Sequence, residues 1–309
     1  MHDDATIQTA LEAVGLSGAT LSGPIGGVVS PIHRAVENLC FFASKADQPR
    51  VFVKRFHDDM SQFIALDCVA EASRKAGELG IAPRLIHADP ANGVLVFEAL
   101  DEEWAWGHAD VLRRPRVLEN LLTAKRTFQK AQPLAEARSV FDLVAAYRQV
   151  AEEPCVILPA PVFTVSAAVQ RIAGAIAAAG VDTVPCHADG VSSNVMVGPD
   201  DGVRLVDFEW ARQADPAYDI GTVLAELLPF DGEALLAIEI ATGKPDAGVL
   251  ARARLYGAAD DLMWALWGFI NAAHSPRKHV EFFKYAEWRL LRARTVIEGP
   301  RFETWLKQV

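Results

Sequence analysis

The feature that most constrains this chain is the segment His187-Ala-Asp189-Gly-Val-Ser-Ser-Asn194, followed thirteen residues after the Asn by Asp207-Phe208-Glu209. Between the two lie Val195-Met-Val197 and Val203-Arg-Leu-Val206, short β-branched runs separated by the turn Gly198-Pro-Asp-Asp-Gly202, which together predict a hairpin. Asn194 and Asp207 then stand at the ends of paired strands and face one another. That arrangement reads as a phosphoryl-transfer site. The Asp of an H-x-D-x-x-x-x-N loop accepts the proton of an attacking hydroxyl, its Asn holds Mg²⁺, and the Asp of a downstream D-F-x holds the metal from the other side. The competing description is a surface loop with an Asx turn beside a buried acid. The hairpin and the second Asp weigh against it.

At 309 residues the chain has room for about two domains with cores of their own. Its four cysteines, Cys40, Cys68, Cys155 and Cys186, lie far apart with no C-x-x-C spacing, so they suggest neither a zinc site nor a disulfide framework. A reducing cytoplasm is the expected compartment. The N-terminus lacks a basic region followed by an apolar core, and no run of about eighteen apolar residues occurs, so a soluble, unprocessed protein that does not enter a membrane is expected. The net charge of −10, without a Lys/Arg cluster, argues against nucleic acid and leaves room for a cationic substrate.

Along the chain, residues 5 to 15 predict a short amphipathic helix ending at a Gly, followed by a turn-rich stretch from 22 to 27. Residues 39 to 44 and 50 to 56 predict a hairpin that carries Lys54 in its second strand. A helix from about Ser61 to Leu79, closed by Gly80, and a strand over 94 to 98 come next; beyond residue 99 the pattern is mostly helical. The expected division is a nucleotide-binding lobe over 1–98 and a catalytic, acceptor-binding lobe over 99–309.

A kinase needs a cation for the phosphates of its nucleotide. Lys54 on a strand, with Glu71 seventeen residues later on a helix, fits the strand-Lys and helix-Glu ion pair of such sites. Gly23, Gly26 and Gly27 precede the hairpin where a phosphate-covering loop would lie, since glycine lets backbone N–H groups approach oxygens closely. A plain turn explains them nearly as well, because neither a Walker A sequence nor a complete G-x-G-x-x-G is present. Residues 97 to 100, including Phe97 and Ala99, form a candidate hinge whose backbone groups would pair with an adenine edge.

The order of Gly-rich turn, Lys54, Glu71, hinge, His187-x-Asp189-x4-Asn194 and Asp207-Phe-Glu-Trp resembles the aminoglycoside phosphotransferase and choline kinase superfamily over almost the whole chain. The continuation Asp215-Pro-Ala-Tyr-Asp219-Ile-Gly is also similar to that superfamily. The resemblance implies an α+β, bilobed, protein-kinase-like fold, with an N-terminal antiparallel sheet and helix and a mostly helical second lobe. It implies use of ATP and Mg²⁺ and a small-molecule hydroxyl as acceptor, and a homodimer is compatible with it. Asp189 would be the catalytic acid–base group and His187 a brace of its loop. Asn194 and Asp207 would hold metal, Lys54 would contact the phosphates, and Asp219 would brace the loop.

Trp264-Ala-Leu-Trp267, then Phe282 and Tyr285-Ala-Glu-Trp-Arg289, resemble the W-x-L-W and Y-A-x-x-R pattern of the choline and ethanolamine kinase branch. There the two Trp and the Tyr help to cage a trimethylammonium head, and a Glu seven residues after the D-I-G Asp, here Glu226, adds negative charge. A quaternary ammonium has no N–H donors and is held by π faces and diffuse negative potential. The alternative is that Trp264 and Trp267, three apart on a helix, pack into the core. Three departures bear on the acceptor: Gly190 stands where choline kinases carry a bulky residue, leaving a smaller acceptor-side wall. Ser30 stands where relatives often have Asn, and Lys54 matches the bacterial antibiotic kinases.

Overall fold

A computed structural model describes residues 2 to 26 and 36 to 309. The first part is built around one sheet. Helix α1 (His2–Ala13) leads into strand β1 (Thr20–Ser22), followed by β2 (Asn38–Ser44), β3 (Val51–Phe56), helix α2 (Leu66–Glu78), β4 (Leu85–Asp89) and β5 (Val94–Glu98). The five strands pair antiparallel in the order β1-β2-β3-β5-β4, so β3 is central and Lys54 lies between Cys40 and Leu95 in register.

The two-residue period of the strands sorts their side chains. Val51, Val53, Val94 and Val96 point to one face, where α1 covers them with Ile7, Ala10 and Leu11. Phe56 and Leu95 point to the other, toward the helices of the remainder. Lys54 shares that second face, which places its ammonium between the sheet and the rest of the chain. Helix α2 begins at Leu66, not near Ser61, because residues 58 to 60 make a separate turn of 3₁₀ helix. Strands β1 and β4 go unsignalled by the sequence pattern: β1 has three residues, and β4 leaves Ile86 45% exposed, so neither alternates cleanly.

Past the hinge come β6 (Ala105–Trp106), α3 (Ala109–Leu112), α4 (Pro115–Phe128), α5 (Val140–Val150) and α6 (Pro161–Ala179). Strand β7 (Val184–Cys186) precedes the catalytic-loop segment, β8 (Val195–Val197) and β9 (Val203–Leu205) follow it, and β10 (Arg212–Ala214) pairs back on β7. The expected hairpin is β8–β9, extended by β6 to three strands. The chain closes with α7 (Pro216–Leu227), α8 (Asp231–Thr242), α9 (Ala247–His274), α10 (Phe282–Ile297) and α11 (Phe302–Gln308).

Helix α9 is buried on all sides over residues 250 to 271 and is the axis on which α5, α6, α7, α10 and α11 pack. Among the described residues α6 alone is long and apolar enough to cross a membrane; it packs against α9 and α10 and carries Arg171 paired to Glu303. Two of the three apolar cores cross residue 98. Phe56, Met60, Val69 and Leu95 join the core of α9, whereas Ala72, Ala76 and Ile81 join that of α4 and α8. The sheet and the helical part therefore meet along a packed seam, and the polar site lies in it.

Candidate active site

The segment 187–194 is held from below by an ion pair. Asp219, at the start of α7, accepts hydrogen bonds from the backbone N–H of Ala188 at 3.1 Å and of His187 at 3.3 Å. The ammonium of Lys125 on α4 donates to Asp219 at 2.7 Å and to the Asp189 carbonyl at 2.8 Å, with both side chains inaccessible to solvent. This clamp stabilises a left-handed Ala188 (φ 59°), a conformation that costs a non-glycine residue on the order of 1 kcal/mol or more. His187 spans the loop, its Nε2 3.0 Å from the Val206 carbonyl and its Nδ1 3.1 Å from that of Asp189. Burial and the nearby Lys125 push its pKa down to about 4, so the ring is neutral at pH 7 and has one proton to donate.

Asp189 is buried and oriented by two donors. Its Oδ1 accepts from the Val191 N–H at 2.7 Å and its Oδ2 from the Asn194 amide at 2.8 Å. Burial, with Asp207 adding to it, pushes its pKa up to about 6 against the pull of those hydrogen bonds. A carboxylate fixed in direction and poised below neutrality can accept a proton from a hydroxyl.

Asp207 follows β9 in a left-handed conformation (φ 72°), which Asp tolerates better than most residues. Lys54 pairs with its Oδ1 and with Glu209 Oε1, the latter at 2.8 Å. Burial opposes the Lys54 charge, but the two carboxylates outweigh it and hold the ammonium above its ordinary range. Burial and Asp207 push the Glu209 carboxyl well up. Glu37, at the edge of β2, is raised to about 8 by burial and by Asp207. The site thus carries more carboxylates than cations. Glu209 Oε2 is buried with no hydrogen-bond partner, and Asn194 has committed its amide nitrogen, which leaves its oxygen to ligate. Hard oxygen donors with surplus negative charge suit Mg²⁺.

The expected Lys54–Glu71 pair does not form. Glu71 binds Lys75 at 2.7 Å and the Ala135 N–H at 3.0 Å, tying α2 to the segment after α4. Helical geometry gives the reason. Val69 and Ser73 face the cavity beside Lys54, and Glu71, two residues from each, lies about 200° round the helix. Glu209 and Asp207 take the role assigned to it.

That cavity has a volume of about 340 Å³. Ile25, Phe42, Phe52, Phe97, Met196 and Leu205 line its apolar part, while Lys54, Asn194 and Asp207 stand at its polar end. The hinge contributes Phe97, Glu98 and Leu100; Ala99 is not among the lining residues. Of the glycine turn, Ile25 reaches the cavity and donates its N–H to the Cys40 carbonyl at 2.8 Å, and Gly26 does not line it. Gly27 and Ser30 lie outside the described residues.

The structure brings Trp264, Trp267, Phe282 and Tyr285, the expected acceptor residues, into one cluster, with edge-to-face contacts at 5.3 to 6.2 Å between ring centres. None is more than 3% exposed, and none lines the cavity beside Lys54. The guanidinium of Arg289 lies over Trp264 at 5.6 Å and over Tyr285 at 5.8 Å, held by Asp260 at 2.7 Å and Asp261 at 3.1 Å. The expected cage is therefore closed around an internal cation. Glu226 stands apart from the rings, accepting from the Ser192 N–H and hydroxyl and from Arg292. Gly190 does not widen the acceptor wall: a Cβ there would meet the Thr222 carbonyl oxygen at 2.2 Å, so the close approach of α7 requires the glycine.

The family model described as "Phosphotransferase enzyme family" matches residues 28–256. The chain belongs to that family. Solved structures agree in fold with this phosphotransferase. A choline/ethanolamine kinase family protein from Mesorhizobium loti is 24% identical, with all of this chain and 99% of that one covered and a TM-score of 0.81. The choline kinase LicA from Streptococcus pneumoniae is 19% identical over 97% of this chain and 100% of its own, at a TM-score of 0.79, and LicA has also been solved with AMP. A spectinomycin phosphotransferase, APH(9)-Ia, in complex with ADP and spectinomycin, is 12% identical over 94% of this chain and 98% of that one, at 0.59. No curated protein sequence matches.

Three residues of this phosphotransferase that the geometry singles out have no motif role in the sequence. Glu209 stands inside D-F-E, and its spacing of two from Asp207 turns both carboxylates toward Lys54. Lys125 carried no signal, being one cation in an amphipathic helix, and its burial is a tertiary fact. Asn38, which donates to Glu209 at 3.4 Å, stands at the start of β2 and carries the polar edge of the cavity.

Proposed function

We propose that this phosphotransferase moves the γ-phosphoryl group of ATP to the hydroxyl of choline or a related amino alcohol. Asp189 orients the hydroxyl and takes its proton, and Lys54, anchored by Glu209 and Asp207, contacts the phosphates. Mg²⁺ held by Asn194, Asp207 and Glu209 would neutralise charge that develops on the phosphates. The apolar end of the cavity takes the adenine against Phe97 and Met196, with residues 1–98 as the nucleotide lobe and 99–309 as the catalytic and acceptor lobe. His187 and Asp219 keep the loop in shape.

The observation that carries the acceptor class is the aromatic cluster itself: Trp264, Trp267, Phe282 and Tyr285 meet edge to face, with Asp260 and Asp261 paired to the Arg289 that lies over Trp264 and Tyr285. Rings backed by Asp260 and Asp261 offer π faces and negative potential, and each cation–π contact contributes about 0.5–2 kcal/mol. A second reading has its own support in Arg289, which already occupies two of those faces. There the cluster is core, and the acceptor is another hydroxylated compound such as an aminoglycoside, thiamine or a sugar. Steady-state ADP release over a panel of amino alcohols, aminoglycosides, thiamine and sugars separates the readings. Turnover with amino alcohols alone supports the first and turnover confined to the others supports the second. ADP release with none would sink both and leave a nucleotide-binding module.

A further inference from the structure

Three side chains of different chemistry converge on the surface where the turn after α5 meets the end of α9. Glu153 Oε2 lies 3.2 Å from His274 Nε2, Cys155 Sγ lies 3.8 Å from the same nitrogen, and Sγ and Oε2 are 3.9 Å apart. All three residues are exposed, and none lines the cavity beside Lys54. A tetrahedral zinc ion with bonds of about 2.3 Å to sulfur and 2.0–2.2 Å to nitrogen and oxygen sets its ligand atoms roughly 3.4–3.6 Å apart. The three observed separations bracket that range to within about 0.3 Å, so a metal needs only small side-chain movements to be seated.

We propose that Glu153, Cys155 and His274 form a zinc-binding site with three protein ligands and a fourth position open to water. The donor set selects the ion, since thiolate with imidazole favours zinc over Mg²⁺ or Ca²⁺, which take oxygen ligands. A thiolate and a carboxylate balance the two charges of the metal. The site also lies at the C-terminus of the 28-residue helix α9, where the negative end of the helix dipole favours a cation. The bound ion links the turn after α5 to α9, joining residues 119 apart in sequence. That separation explains why cysteine spacing along the chain gives no sign of it.

The test titrates Zn²⁺ into chelator-stripped full-length protein against a chromogenic chelator, with excess Mg²⁺ present to occupy oxygen-lined sites. The wild type binds one equivalent more than Cys155→Ser or His274→Gln, whose affinity at this position falls roughly tenfold or more. Co²⁺ in place of Zn²⁺ gives the wild type a near-ultraviolet thiolate-to-metal charge-transfer band that Cys155→Ser lacks. Circular dichroism of both variants, which alter exposed positions, checks that they fold. Equal zinc uptake by wild type and folded variants overturns the proposal, as does a cobalt complex without the thiolate band.

Discussion

The catalytic centre and the aromatic cluster beside it are both buried and both rich in carboxylates, yet their charges are balanced in opposite ways. Around Lys54 stand Asp207, Glu209, Asp189 and Glu37. In the cluster region Asp260, Asp261 and Glu226 are answered by Arg289 and Arg292, and the ring faces are covered by Arg289. The first region is short of positive charge and prepared for an external cation with its phosphates. The second supplies most of its own. The donors of the first region exist before any ligand arrives, whereas in the proposed reading the choice of acceptor depends on how far an internal guanidinium gives way.

The largest expected effect tests the first half of that contrast. Asp189→Asn preserves the size of the side chain, keeps one of its two accepted hydrogen bonds and removes the proton acceptor, and kcat should fall about 10²–10⁴-fold while nucleotide affinity, measured by isothermal titration, changes little. A variant with wild-type kcat would make the centre a structural ion network like the cluster. Next comes the clamp. Lys125→Met leaves Asp219 buried and uncompensated, which should cost about 3–5 kcal/mol in denaturant unfolding. A loss below about 1 kcal/mol would mean that the loop holds its left-handed Ala188 without the pair.

How much of this was legible in the sequence follows the same division. The β8–β9 hairpin and the placement of the H-x-D-x-x-x-x-N loop could be read because they rest on local spacing: Asn194 and Asp207 flank paired strands by chain geometry alone. The sheet around Lys54 was likewise visible as alternating apolar runs. Glu71 does not reach Lys54 because tertiary packing turns Val69 and Ser73 to the cavity, which sets Glu71 about 200° away round the helix. Lys125 and Arg289 were invisible as parts of the site, since only tertiary packing removes them from solvent. Gly190 shows the reverse hazard, a residue that suggests an open acceptor wall but answers to Thr222 behind it.

A smaller effect is the acid limb of the rate profile. Burial, with Asp207 adding, sets Asp189 at about 6, and the base works only when ionised. The kcat/KM value should fall as pH drops through about 6, by about tenfold per unit well below it. The sign for stability is opposite. A carboxyl whose pKa is raised on folding keeps its proton longer in the folded chain, so between about 4 and 6 its contribution to stability is lost as pH rises. Asp189→Asn should remove its share of that slope from the pH dependence of unfolding, and an unchanged slope would assign it to the other carboxyls that burial raises, Asp260 at about 6 and Glu37 at about 8 among them.

The smallest effect decides the second half of the contrast. Trp264 touches Trp267, Tyr285 and Trp210 and carries Arg289 on its face, so truncation to Ala would cost a core residue's worth of stability whatever its role. Trp264→Phe is the sharper probe, because it keeps an aromatic wall and weakens the π face, on which a cation is best held by Trp. If an amino alcohol displaces Arg289 from that face, the acceptor KM should rise several-fold while the ATP KM and kcat stay within about twofold. If the cluster is core, Trp264→Phe should lower the unfolding midpoint and leave the ratio of the two KM values unchanged. Arg289 on Trp264 and Tyr285 and Arg277 on Phe282 are then the cations that these rings hold, and the acceptor is selected elsewhere along the seam between sheet and helices.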